Sequence, residues 1–158
     1  MIVNDILSKQ DVDDLIEIGL FEVKHFLCDD VPLHQTFPYM HRTYQDSICM
    51  KNLINVVVSN YKRFYNREAK VLSCWFNVVR EDSNYGWHTH AENTAVIYLK
   101  NTSNDGTEFR DKNVPCVENS LVFIDKDVEH KTPNWKGKER ITMALGMEEV
   151  GILPKPWL

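Results

Sequence analysis

The feature that most restricts how this chain can fold is a change of hydrophobic period near residue 70. Before it, apolar residues recur at three- and four-residue intervals; after it, they tend to alternate. Residues 1 to about 69 therefore read mainly as helix. Ser8 followed by Asp11 resembles a capping-box start, and Val12, Leu15, Ile16 and Gly19 continue at helical spacing. Over residues 47–68, Met50, Leu53, Ile54, Val57, Tyr61 and Phe64 form one apolar face. Between these two helices, residues 29–44 carry Pro32 and Pro38 and read as an ordered loop or an irregular strand.

Beyond Lys70, segments 71–80, 94–100, 107–110, 120–125 and 140–147 are rich in β-branched and aromatic residues. Turns bearing Asn, Asp, Gly and Pro, such as 101–106 and 133–137, separate them. Short strands at this spacing predict a mainly β protein with flanking helices, a sandwich or barrel with the helices on one outer face. No repeat, low-complexity tract or linker interrupts the 158 residues. The expectation is one domain over 1–158, with a helical support region (1–69), a β core (70–147) and a C-terminal tail (148–158).

Composition narrows the partners. Apolar residues make up 43% of the chain, enough for an ordered core. Net charge is −5 and no basic block occurs, so neither nucleic acid nor an anionic membrane is an expected partner. Cys28, Cys49, Cys74 and Cys116 show no CxxC spacing, the N-terminus has no basic-then-apolar leader, and no apolar run approaches eighteen residues. Reduced thiols in a cytoplasmic protein is the expectation.

Chemistry enters with His88-Thr89-His90, His130 and Arg140. Alternate residues of an extended chain share a face, so His88 and His90 can approach one ion. His130, read as the end of a strand distant in sequence but adjacent in space, can supply a third imidazole. Such a set suits iron, copper, nickel or zinc. His25, His34 and His41 lack ligand spacing and read as surface or core residues.

Taken in order, Trp75-Phe76-Asn77, His88-Thr89-His90, Val96-Ile97-Tyr98-Leu99, Gly106-Thr107-Glu108-Phe109, Leu121-Val122-Phe123, His130 and Arg140-Ile141-Thr142 resemble the iron(II)/2-oxoglutarate-dependent oxygenases. The likeness is to the small prolyl-hydroxylase-like proteins of bacteria and phages, over roughly residues 70–147. It implies a double-stranded β-helix, or jelly roll, with Fe(II) at one open end and 2-oxoglutarate as co-substrate. The implied activity is hydroxylation of a further substrate with release of succinate and carbon dioxide. His88 takes the first ligand position of the family and His130 the distal one. Arg140 and Thr142 fall where the family receives the far carboxylate of 2-oxoglutarate. A guanidinium fork and a hydroxyl on one strand face suit that carboxylate.

Tyr98, pointing inward with Val96, either hydrogen-bonds the co-substrate or fills the barrel, and Asn77 has the same two readings. Trp87 reads as a pocket wall or as packing. Lys131, Lys136 and Lys138 read as a solvated loop that would also attract an anionic acid.

One departure matters. Where the family carries an acid two residues after its first histidine, this chain has His90. Either His88, His90 and His130 form an all-histidine site, or the motif shifts to His90-Ala91-Glu92. A Glu92 that is not a ligand would act behind an imidazole, through its free N–H. Two other classes compete: a cupin-like three-histidine dioxygenase or isomerase that does not use 2-oxoglutarate, and a non-catalytic jelly-roll module. The prime substrate and the oligomeric state are not legible, although loops 29–46 and 80–87 are the expected contributors to substrate choice and the 47–68 face could pair with a second copy.

Overall fold

In order along the chain, the computed structural model shows β1 (Ile2–Asn4), α1 (Lys9–Phe26), β2 (Leu33–Gln35), α2 (Met40–Thr43), α3 (Ile48–Tyr65), β3 (Ala69–Arg80), β4 (Asn93–Asn101), β5 (Thr107–Phe109), β6 (Asn113–Val114), β7 (Ser120–Ile124), β8 (His130–Lys131) and β9 (Glu139–Glu149). The structure describes residues 2–26, 33–80, 86–101, 106–115, 117–132 and 139–151. Cys28, Cys116, Lys136, Lys138, most of the 80–87 loop and the tail beyond 151 lie outside these residues, as do the side chains of His25 and His34.

Local chemistry accounts for the two long helices. Ser8 Oγ accepts the Asp11 N–H at 3.1 Å at the start of α1. Ser47 caps α3 in the same way, accepting from the Met50 N–H at 3.5 Å. Asn66, in the left-handed region with φ 54°, ends α3. The apolar stripe read from the sequence is the buried face: Met50, Leu53, Val57 and Tyr61 are fully inaccessible, whereas Phe64 at the end of the helix is 38% exposed. Complete burial of a side chain such as Leu53 contributes about 2–3 kcal/mol.

The strands form a six-stranded sheet of order β1-β7-β4-β9-β3-β2 and a three-stranded sheet of order β6-β5-β8. Every pairing within them is antiparallel. The two sheets form a jelly roll, with α1 and α3 on the outer face of the larger sheet. β1 arises inside the stretch read as mainly helical, and β2 inside the 29–44 segment read as an ordered loop or an irregular strand. Each is three residues long, too short to show a period, and each forms by pairing at a sheet edge, with β7 and β3 respectively. Strands β3, β4, β5, β7 and β9 match the expected segments within a few residues.

Strand alternation divides the larger sheet into two surfaces. Cys74, Phe76 and Val78 of β3, Ala95, Ile97 and Leu99 of β4, Leu121 and Phe123 of β7, and Ile141, Met143 and Leu145 of β9 join the helices in one core. The intervening residues Trp75, Asn77, Val96, Ile124, Arg140, Thr142 and Ala144 line a cavity on the opposite surface. Gly19 lets α1 sit directly on β3: a Cβ there would lie 2.1 Å from the Phe76 ring. Among the described residues no helix is long and apolar enough to cross a membrane.

Candidate metal centre

His88, His90 and His130 come together at the mouth of the jelly roll, with one donor atom from each within 4.8 Å of the others. Ring centroids are 4.3 Å apart for His88 and His130, 4.9 Å for His90 and His130, and 5.1 Å for His88 and His90. Convergence arises differently from the sequence expectation. His130 does not end a strand; it opens the two-residue β8. His88 lies outside the named strands and meets His130 in a single antiparallel bridge, through reciprocal N–H···O=C bonds of 3.0 Å. The His90 carbonyl accepts the Asp127 N–H at 3.0 Å. Asp127 itself has φ 63°, in the tight turn that leads to His130. Two anchor points thus lace the His88–His90 segment to the 127–130 segment.

The outer nitrogens fix the tautomers. His88 Nδ1 lies 2.8 Å from the Gly86 carbonyl, and His130 Nδ1 lies 2.9 Å from the Val128 carbonyl. A carbonyl only accepts, so in each neutral ring Nδ1 carries the hydrogen and Nε2 keeps the lone pair. Carbonyl-anchored imidazoles of this kind are how proteins orient ligands around an ion. His90 packs beside the Trp75 ring, with centroids 5.7 Å apart. Desolvation, followed by the neighbouring His130 and His88, pushes its pKa down to about 4. His130 is also held below its ordinary value, by burial first and by His88. His90 and His130 therefore favour uncharged imidazole, the form that binds a metal.

Glu92 is elsewhere. Its Oε2 lies 3.6 Å from the position a Gly146 Cβ would take, and it borders a separate crevice with Tyr61, Asn93 and Met147. Among the described residues the donor cluster contains only the three histidines. His41, on α2, is not part of it, and burial and Arg42 hold its pKa below the usual range.

The histidines open into a cavity of about 330 Å³ that Arg140, Thr142, Asn77 and Thr132 also line. Arg140 is 4% exposed. Its Nη1 donates to Thr132 Oγ1 at 3.0 Å, while its buried Nε has no hydrogen-bond partner among the described residues. A buried guanidinium with an unused donor costs stability unless something else accepts from it. Asn77 Nδ2 donates to Thr142 Oγ1 at 3.3 Å across paired strands. Tyr98, paired with Thr142 in register, does not line the cavity. Its hydroxyl lies 2.5 Å from Thr107 Oγ1 and its ring lies 5.3 Å from the Arg140 guanidinium carbon. Tyr98 reaches the cavity through those neighbours.

Of the lining residues, Gln35, Pro38, Ile124, Thr132 and Ala144 were not singled out from the sequence. Thr132 could have been found by alternation from His130. Gln35 and Pro38 belong to the 29–46 loop expected to contribute to substrate choice, although no local signal picks out those two residues. Trp87, a candidate pocket wall, is not among the lining residues.

The donor set fits a first-row divalent ion, being three imidazole nitrogen ligands beside a cavity with a cationic wall.

No protein-family model matches the chain, and no curated protein matches it in sequence. Solved structures do match in shape. One is the viral collagen prolyl hydroxylase of Paramecium Bursaria Chlorella virus-1 in complex with 2-oxoglutarate, with a TM-score of 0.75, 14% identity, and coverage of 93% of this chain and 94% of that one. A second is the non-heme alpha ketoglutarate dependent epimerase SnoN of nogalamycin biosynthesis, with a TM-score of 0.75, 12% identity, and coverage of 100% and 86%. A third is HygX of Streptomyces hygroscopicus with nickel and 2-oxoglutarate bound, with a TM-score of 0.71, 10% identity, and coverage of 95% and 82%. At these identities the likeness is one of fold.

Proposed function

We propose that the chain is an Fe(II)- and 2-oxoglutarate-dependent oxygenase that hydroxylates a further substrate with release of succinate and carbon dioxide. One observation carries the reading: three imidazoles and a buried guanidinium whose Nε has no partner among the described residues face the same cavity. His88, His90 and His130 hold the metal, and Glu92, folded away against Gly146, does not. The fold shared with enzymes crystallised with 2-oxoglutarate supports the choice of co-substrate. When bound, iron would supply the redox chemistry that couples oxidation of 2-oxoglutarate to oxidation of the substrate.

The protein's own groups bind and orient. Arg140 presents a fixed positive charge to the far carboxylate of the co-substrate, and Thr142 adds a hydroxyl from the same strand face. Thr132 holds the guanidinium in place from β8's continuation, and Tyr98 supports it from behind. Asn77 orients the Thr142 hydroxyl. Val96, Ile124 and Ala144 make part of the wall apolar, which excludes water and strengthens the charge interaction.

Anaerobic Fe(II) with 2-oxoglutarate should give the weak visible metal-to-ligand absorption band of a chelated 2-oxoacid. Arg140→Ala should lose that band at matched co-substrate concentration while still binding iron. The all-histidine donor set favours a second reading, a cupin-like metalloenzyme without 2-oxoglutarate, which would bind iron and give no band. A non-catalytic module would show the same melting temperature with and without metal and 2-oxoglutarate.

A further inference from the structure

We propose that Trp87 is a positioning residue: held between the Arg110 guanidinium and the Lys131 ammonium, its indole clamps the His88 segment onto the strands around His130 and presets the spacing of the imidazoles. The inference rests on the reading of His88, His90 and His130 as metal ligands.

The need for a clamp follows from how little backbone holds the centre together. His88 is tied to His130 by one bridge, and β8 is two residues long. On the entry side, a Cβ at Gly86 would have no heavy atom of the described residues within 4 Å. Trp87, directly before His88, is partly buried.

Its surroundings are built from residues that alternate with, or adjoin, the inward-facing ones. The Arg110 guanidinium carbon lies 3.8 Å from the Trp87 ring centroid, and Lys131 Nζ lies 5.0 Å from it. Both distances allow cation–π attraction. Arg110 is fixed in turn by two bonds to the Glu129 carboxylate, at 3.0 and 3.3 Å. Lys131 pairs with Glu108 at 3.3 Å. Glu129 and Lys131 flank His130 in sequence, while Glu108 and Arg110 flank Phe109, whose ring centroid lies 6.1 Å from that of His130. Glu108 and Phe109 are also the register partners of Lys131 and His130. One indole thus joins three chain segments, and each carries or backs a ligand. Exposed ion pairs of this kind contribute little to folding stability. Their effect is geometric, as for other groups that orient ligands from behind.

Cobalt(II) titration of the purified chain, followed by its visible d–d absorption, tests the clamp. Trp87→Leu should weaken cobalt binding about tenfold or more and alter the band shape, the range found when groups behind metal ligands are lost. Trp87→Phe, which keeps an aromatic face, should recover most of the affinity. The melting temperature of the metal-free variants should move little.

Wild-type cobalt affinity and spectrum in Trp87→Leu would overturn the clamp. So would a Phe variant as weak as the Leu variant, or a lowered apo melting temperature with unchanged affinity. Should the Leu variant fail to fold, Arg110→Met leaves the indole in place and carries the same expectation, and wild-type affinity in it is equally fatal. Failure of the wild-type chain to bind cobalt would instead remove the ligand reading, and the clamp with it.

Discussion

The two surfaces of the larger sheet are made from alternate residues of the same strands, yet they obey different rules. On the helix side, Phe76, Ile97, Leu121, Met143 and their neighbours merge with Leu15, Met50, Leu53 and Val57 into one apolar core. On the cavity side, Asn77, Thr142 and Arg140 are buried polar groups, and Arg140 Nε lacks a partner among the described residues. One surface is optimised for burial, whereas the other holds polar groups at a cost that a bound ligand would offset. Stability and chemistry are therefore separated by a single step along each strand.

The largest effect that sharpens this contrast should come from the helix side. Phe76 is fully buried beneath Gly19, and Phe76→Ala is expected to lower folding stability by about 3–5 kcal/mol in urea unfolding, through lost burial plus the cavity left behind. A loss below 1 kcal/mol would mean that the two surfaces are not energetically distinct.

On the cavity side, acid should act through protonation. The pKa of His90 is held at about 4 against an ordinary 6.5, so between those values the unfolded chain takes up a proton that the native state refuses. Metal-free protein should keep this contribution above pH 6.5 and lose it as pH falls towards 4. The depressed pKa of His130 acts in the same direction. Glu129 and Glu149, held below the usual carboxylate range, titrate beneath most of this window. Urea midpoints at pH 7 and pH 5 provide the measurement, and His90→Ala should narrow the difference. A higher midpoint at pH 5 would contradict the burial of a neutral imidazole.

The smallest expected effect separates two neighbours in sequence. His90→Ala should abolish metal binding measured by cobalt or iron stoichiometry, whereas Glu92→Gln should leave both stoichiometry and stability within about 0.5 kcal/mol of wild type, as is usual away from buried networks. The reverse outcome would restore the shifted His-x-Glu motif.

Legibility in the sequence followed the length of each element. α1, α3 and the longer strands declare themselves because ten or so residues at one period leave little ambiguity. The metal centre was legible as a set of residue types: His88, His90 and His130 were identified as partners, and the structure brings them together. Its construction was not legible. β8 and the His88 bridge consist of pairings too short to leave a pattern, and the register of His130 at the opening of its strand was misread for that reason. Gln35 and Pro38 reach the cavity through β2 and the loop after it, a placement set by edge pairing with β3 and not by local preference. The sequence left His90 and Glu92 open as the third ligand; that His90 lies beside His88 and His130 while Glu92 borders another crevice depends on tertiary placement that no local pattern records.

The edge strands carry a consequence for how the molecule assembles. Ile2 pairs with Val122 and Leu33 with Val79, so the ends of the larger sheet are closed by segments that precede most of the strands they complete. Loop-closure entropy must be met before such remote partners reward one another, which slows the search for the native topology. Newly made chain would hold its helices early and wait for its rims, leaving the β7 flank uncovered until the first and last thirds of the polypeptide meet.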